Sequence, residues 1–249
     1  MTTGQMKATA SHPPTNSLAR EEAAQLGASP PIRKGRGPSS RSEAKRDQIV
    51  QAAMRHFAEN GYQDARIGDL AAALGIAKGS IFQHFGSKDG LFLETYKRAV
   101  RSFPTYMDAP QEVLERGFFE TLRHWLTRTE HLVHEDWAAY RVYLLGNYRA
   151  DLTLRREINR FLMAEDPYGT YQFVRWGVER TEVRADIDEE MVASILDWTF
   201  ERFQDALLTE ELDPGLFRRQ GISAEKKQAR INQFMEILRG AIGTRHAAA

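Results

Sequence analysis

The chain has 249 residues, of which 42% are hydrophobic and 27% charged, so it belongs with globular proteins long enough to bury a core in one or two domains. It contains no cysteine, which excludes disulfides and thiol catalysis, and no apolar run of about eighteen residues, which excludes an apolar membrane-spanning helix. The 34 basic and 34 acidic residues cancel, yet between Pro31 and Val100 twelve Lys or Arg face seven Asp or Glu, a local excess that favours a polyanionic partner.

Residues 1–40 are rich in Pro, Ser, Ala, Thr and Gly and show no apolar periodicity, so they read as a disordered arm. The arm lacks the apolar stretch of a secretory signal, and a cytoplasmic protein is expected. Arg33, Lys34, Arg36 and Arg41 make its end basic. Such an arm either lies along a phosphate backbone and enters the minor groove or serves as a solubilising tail. A first helix is expected from about Ser42, its N-cap, to Asn60, because Ile49, Ala53 and Phe57 recur at i, i+4 and i+8. Asn60-Gly61 supplies the stop, and Tyr62 packs back.

From Arg66 to Phe92 the sequence RIGDLAAALGIAKGSIFQHFGSKDGLF reads as a short helix, a turn at Gly75, a second short helix over about Lys78–Phe85, and a Ser-Lys-Asp that opens a longer helix after Gly86. Leu70, Ala71, Leu74 and Ile76 make a small core, and Ile81 and Phe85 an inward stripe. Lys78, Gly79, Ser80, Gln83 and His84 point outward; they are small, basic or amide-bearing, as a major-groove surface requires. This is a helix-turn-helix pattern, and it predicts a DNA-binding domain over 41–87. The Gln83 amide suits bidentate bonding to an adenine edge, and Gly79 allows close approach.

FAENGY (Phe57–Tyr62) followed by DLAAALGIAKGSIFQHFGSKDGLF resembles the N-terminal domain of tetracycline-repressor-type (TetR family) transcriptional regulators, over roughly Ala44–Val100. The resemblance implies that Lys78, Gly79, Ser80 and Gln83 face the groove while Phe82, His84 and Lys88 lie near the DNA backbone, with Ser80 and Lys88 on phosphates. Without it, His84 reads as an ordinary surface histidine. Two positions depart from the family pattern. Arg66 stands where a Ser or Thr usually caps the helix and binds phosphate; an arginine reaches a phosphate by its longer side chain, and Asp64 is an alternative cap. Phe82 replaces a tyrosine and so loses a hydroxyl contact.

Residues 88–246 read as a ligand-binding and dimerisation domain, giving an all-α chain of nine or ten helices. Lys88–Phe103 links head to body and stops before Pro104. Further helices are expected over Gln111–Arg128, Leu132–Tyr148, Leu152 toward Arg180, Ile187–Leu208 and Ser223–Ile242. Asp166-Pro167 either breaks the third of these or kinks it. The last two are apolar over more than one side, so Ile195, Trp198, Phe203, Ile231, Phe234 and Leu238 are the expected homodimer interface, the alternative being monomer core. A two-fold dimer doubles the base contacts of one short helix across palindromic half-sites of an operator in double-stranded DNA. Trp137, Tyr140, Tyr143 and Trp176 are candidates to line a pocket for a flat or apolar small-molecule effector, although aromatics at helical spacing also make ordinary core.

EHLVHED places His131 and His134 at i, i+3 with Glu135 adjacent, which leaves open an α-helical metal-dependent enzyme; surface histidines explain the pattern as well. There is no P-loop, no Gly-x-Ser-x-Gly elbow and no inward Glu-x-x-His pair, so no catalytic residue, metal or cofactor is expected. DIDEE (186–190) reads as the acidic first turn of a helix. The expected function is a sequence-specific DNA-binding transcriptional regulator, a repressor released from its operator by an effector.

Overall fold

A computed structural model describes residues 40–103, 108–217 and 222–244, without the side chains of 40, 129–132 and 134. Arg33, Lys34 and Arg36 of the expected arm lie outside the described residues. The helices are α1 (Ser40–Asp64), α2 (Ile67–Ala73), α3 (Lys78–Phe85), α4 (Lys88–Ser102), α5 (Gln111–Glu115), α6 (Phe118–Glu135), α7 (Trp137–Arg149), α8 (Leu152–Glu165), α9 (Thr170–Glu179), α10 (Glu189–Leu196), α11 (Arg202–Leu208) and α12 (Ala224–Ile242). A π-helical turn over Asp197–Glu201 joins α10 to α11. The protein is all-α, and no described helix is long and apolar enough to cross a membrane.

Local chemistry explains most of the boundaries. Gly61 breaks the helical path of α1 with φ 71°, where the sequence placed the stop, whereas the start lies at Ser40, so Ser42 is inside the helix and is not its N-cap. Asp136, Asp151, Asp188 and Ser223 accept backbone N–H groups at the starts of α7, α8, α10 and α12. The expected helices over 111–128 and 132–148 are divided differently. Gly117, with φ 101°, separates α5 from α6, and α6 then runs on to Glu135, where the Asp136 cap begins α7. At Asp166 (φ 36°) and Gly169 (φ 68°) the backbone is left-handed, which no continuous helix accommodates, so Asp166-Pro167 is a break between α8 and α9.

The chain forms two compact units. Of the described residues, one comprises 40–103, 108 and 128–168. In it α1, α4 and α7 pack on one another, α8 packs on α4 and α7, and α2 and α3 sit against α1 and α4. Phe57 and Phe92 are fully buried with their rings edge to face at 5.1 Å, and Tyr62 meets Phe92 in the same way at 5.0 Å. Residues of the expected reading head thus share a core with α7 and α8, which follow residue 88 in the chain.

The other unit comprises 109–127, 169–217 and 222–244. Its core contains Phe118 stacked on Phe173 at 4.4 Å and Phe203 stacked on Phe234 at 4.0 Å, with Ile231, Met235, Leu238 and Ile242 of α12 buried beside them. Glu182 caps the start of α6 by accepting from the Phe118 N–H at 2.9 Å, and its partner Arg180 holds the carboxylate at 2.7 Å. The chain beyond α12 is pinned by bonds from the Arg184 N–H to the Ile242 carbonyl and from the Thr244 N–H to the Glu182 carbonyl.

Candidate nucleic-acid interface

The interface is built from α2, the turn after it and α3. Gly75 takes φ 64°, and the Ile76 N–H returns to the Ala71 carbonyl at 3.0 Å, which closes the turn and sets α3 across α2. One residue of α3, Ile81, is completely buried, and it fixes which side of the helix faces in. The opposite side carries exposed Lys78, Gly79 and Gln83, flanked by half-buried Ser80, Phe82 and His84. A Cβ added at Gly79 would meet no atom within 4 Å, so the backbone there is open to a close approach. Gly86 ends α3 at φ 73°, and the Ser87 hydroxyl caps α4 by accepting from the Gly90 N–H at 3.0 Å. Gly90 is required for a reason the sequence reading did not supply: a Cβ there would lie 2.1 Å from the Phe85 carbonyl oxygen. The first turn of α4 therefore abuts the last turn of α3.

Beside α3 lies an open groove of about 420 Å³, lined by Gln63, Ala65, Arg66, Ile67, Gly68, Asp69, Lys78, Phe82 and Lys88. Three of its residues are cations, one is an acid, and Ala65, Ile67 and Phe82 give it an apolar floor. Lys88 donates to the Gln63 carbonyl at 3.0 Å and sits 4.9 Å from the centre of the Tyr62 ring; Lys78 lies 5.7 Å from the centre of the Phe82 ring. Burial, the hydrogen bond to Asp89, and the charges of Asp89 and Asp151 push the Tyr62 phenol well above its ordinary value, so the ring stays neutral under Lys88. Cations over an apolar floor suit a phosphodiester and its sugar. Arg66 heads α2 with no side-chain cap bond, and Asp64 does not replace it. Phe82 sits in the groove, where it has a ring to offer sugar and no hydroxyl to offer phosphate.

Two residues that the sequence reading passed over belong here. Gln63 supplies the carbonyl that orients Lys88. Lys45, on α1, donates to the Ser80 hydroxyl at 3.2 Å and so brings a further cation to the first turn of α3. Arg41 is exposed one helical turn before Lys45 and shares its side of α1, which puts it at the edge of the same surface.

The other candidates are distributed over both units. Tyr140 and Tyr143 are buried in α7 with rings stacked at 5.8 Å, and Phe103 meets Tyr143 edge-on at 5.6 Å; Trp137, in the first turn of the same helix, is 46% exposed. Trp176 is buried in the other unit, with Phe173 at 5.5 Å and the Arg180 guanidinium 5.1 Å from its ring centre. Of the expected interface residues, Phe203, Ile231 and Leu238 are inside the core of that unit, because their stripes face its own helices. Ile195 and Phe234 pack partly against this core, and Trp198 is 68% exposed. Met191 and Ile237, 49% and 72% exposed, join Trp198 as the large apolar side chains that α10, the π-turn and α12 present to solvent. Glu135 is exposed at the end of α6; the side chains of His131 and His134 lie outside the described residues. Among the described residues no three His, Cys, Asp or Glu are grouped as a metal site.

Residues 49–95 match the model of the bacterial regulatory proteins, tetR family. The chain is 28% identical over 171 residues to the HTH-type transcriptional repressor AcnR of Corynebacterium glutamicum, an alignment that spans 69% of this chain and 86% of that repressor. Its fold is similar to that of a transcriptional regulator of the TetR family from Vibrio parahaemolyticus, with a TM-score of 0.58 and 20% identity over 81% of this chain and 100% of that one. It is likewise similar to the transcriptional regulator FadR of Bacillus subtilis, solved in complex with stearoyl-CoA, with a TM-score of 0.56 and 21% identity over 77% and 96% of the two chains. These relatives are transcriptional regulators, and the reading of His131, His134 and Glu135 as an enzyme site has no support from them.

Proposed function

The chain belongs to the tetR family of bacterial regulatory proteins and is a DNA-binding transcriptional regulator, and from that premise we propose that it is a homodimeric, cytoplasmic repressor released from a palindromic operator by a small apolar effector. The observation that carries the DNA-reading part is the sidedness of α3: Ile81 is buried, while Lys78, Gly79 and Gln83 are exposed beside a groove that holds Arg66, Lys78 and Lys88. In this reading Gln83 reads a base edge, Gly79 admits the backbone close to the groove floor, and Lys78 adds charge at the same edge. Ser80, His84, Lys88, Arg66 and Arg41 hold the register on phosphates, and Phe82 packs on sugar.

The dimer reading draws on Met191, Trp198 and Ile237, large apolar side chains that the last helices leave in solvent, where exposed apolar surface favours association. Tyr140 and Tyr143, with Trp137 at the start of their helix, support an aromatic-lined effector site. The stearoyl-CoA in the FadR structure and the repressor name of the corynebacterial relative are in keeping with an apolar effector and with repression. The mechanism is a population shift: the effector favours a dimer geometry in which the two α3 helices no longer match the half-site spacing.

The test starts with in vitro selection of an operator by the purified protein. Gln83→Ala is expected to lose about 1–3 kcal/mol of discrimination at one base pair per half-site. Unchanged affinity and unchanged base preference in Gln83→Ala would overturn the assignment of α3.

A further inference from the structure

The recognition helix α3 has eight residues, and Ala77 at its start supplies no side-chain cap. A helix this short is not fixed in direction by its own hydrogen bonds, and the carbonyls of its last turn need outside partners. One side chain meets both needs. Arg46, on α1, donates from one terminal nitrogen to the His84 carbonyl oxygen at 3.2 Å and from the other to Glu94 Oε2 at 2.6 Å. Its guanidinium carbon lies 4.8 Å from the centre of the Phe85 ring. Glu94 belongs to α4 and is gripped from its other oxygen by Lys97 at 3.1 Å. Burial alone would raise the Glu94 carboxyl, but the bonds from Lys97 and Arg46 outweigh it and keep it below its ordinary value. The glutamate is thus an anion that anchors the arginine.

We propose that Arg46 is a positioning residue for DNA reading: it sets the direction of α3 by tying that helix's last turn to α1 and α4, and it makes no contact with DNA itself. Both of its terminal nitrogens are committed inside the head, and Glu94 neutralises its charge. Its neighbour Lys45 differs, because its ammonium reaches the half-buried Ser80 hydroxyl beside the exposed face of α3, with no carboxylate attached to it among the described residues. A planar fork serves three groups in different directions, which a lysine ammonium at the same place cannot do.

The proposal rests on α3 being the reading helix, and binding of the full-length protein tests the two separately. Affinity is measured by fluorescence anisotropy on a duplex recovered by selection and on a scrambled duplex of equal length, over a range of salt, with the active fraction fixed by stoichiometric titration. Arg46→Ala is expected to lose about tenfold in affinity for the selected duplex, the scale of losing a charge-assisted hydrogen bond. Its affinity for the scrambled duplex and its salt slope are expected to stay at the wild-type values. Arg46→Lys should behave like Arg46→Ala, and Glu94→Gln should show the same loss of specificity, with no further loss when combined with Arg46→Ala.

A salt slope lowered by about 0.9 for each Arg46 removed, with weaker binding to both duplexes, would make it a phosphate ligand and overturn the proposal. So would full rescue by Arg46→Lys, or a lowered active fraction with unchanged affinity per active molecule. If Arg46→Ala does not fold, Arg46→Lys and Glu94→Gln carry the same comparison. Gln83→Ala in the same assay separates the premise: if it binds like wild type, α3 is not the reading helix, whereas its loss beside an unaffected Arg46→Lys overturns the positioning role alone.

Discussion

Gly146, in the last turn of α7, sits where α7 meets α4, and replacing it by alanine tests how that contact is made. In a helix interior exposed to water, Gly→Ala gains about 0.8–1.0 kcal/mol from propensity. At Gly146 the new Cβ would lie 2.4 and 2.5 Å from Cδ2 and Cε2 of Tyr96 and 3.2 Å from Cδ1 of Ile158. Carbon atoms pack best at about 3.5–4.0 Å, so the Tyr96 ring must retreat by about 1 Å. It has no room, because Tyr96 is completely buried and its hydroxyl donates to Asn147 Oδ1 at 2.8 Å. Overpacking of this kind costs about 1–3 kcal/mol, and loss of the hydroxyl bond adds about 1. The clash wins over propensity, and Gly146→Ala is expected to be destabilised by about 1–3 kcal/mol, a fall in Tm of roughly 3–10 °C for a chain of this size. Gly240→Ala is the matched control: it is also helical, it is exposed, and a Cβ there meets nothing within 4 Å, so it should gain up to about 1 kcal/mol. Urea and thermal unfolding of both variants give the comparison. A Gly146→Ala protein as stable as wild type, or more stable, would refute the claim that α4 and α7 are in rigid contact through Tyr96.

Other consequences are checked more briefly. Lys88→Ala, which removes one cation from the groove beside α3, should lower the salt slope of operator binding by about 0.9 per phosphate released, so that wild type and variant converge by about threefold between 50 and 200 mM salt; parallel slopes would remove Lys88 from the phosphate contacts. Because the folded state raises the Tyr62 phenol, the unfolded chain ionises first as pH climbs past about 10, and stability is lost there; the advantage of wild type over Tyr62→Phe in urea should shrink above that pH, and a constant gap would contradict it. Glu94 runs the other way: its lowered carboxyl contributes stability above the ordinary carboxylate value of 4.5 that is lost as pH falls through the folded value, so the gap to Glu94→Gln should close in acid. Trp198→Glu with Ile237→Glu should give a monomer by light scattering, whereas Leu238→Ala, inside the core, should cost about 2–5 kcal/mol of stability and leave the association state alone.

How far the sequence reaches depends on whether a feature is coded locally. The turn at Gly75, the end of α3 at Gly86 and the cap at Ser87 are each written in one or two residues whose backbone needs are special, and the structure has them at those positions. Gly117 and Asp136 are of the same kind but sit between apolar stripes that continue on both sides, so periodicity alone ran past them and merged the wrong segments into helices. Lys45 carries no local signal at all. It is one lysine in a charged helix start until α1 is laid against α3 and its ammonium meets Ser80. The apolar width of the last helices was legible, but not which side turns inward. Ile231 and Leu238 face the core while Ile237, one residue away, is exposed, and only the packing of α12 against Phe118, Phe203 and their neighbours decides between them.

The division of the chain by contacts bears on how an effector signal would travel. One face of α4 sends Phe92 against Phe57 and Tyr62, within reach of the groove that Lys88 and Arg66 line. Its next turns send Tyr96 against Gly146 and Asn147 of α7, and Arg101 onto Glu165 and Phe161 of α8. Arg155 of α8 donates to the Asn147 carbonyl, so the Tyr96 contact is clamped from both helices. A close-packed interior does not absorb small shifts continuously. We propose that a displacement of α7 near Tyr140 and Tyr143 is passed to α4 through the Tyr96–Asn147 bond, and from Glu94 of α4 through Arg46 to the last turn of α3. These contacts connect α7, through α4, Glu94 and Arg46, to the last turn of α3.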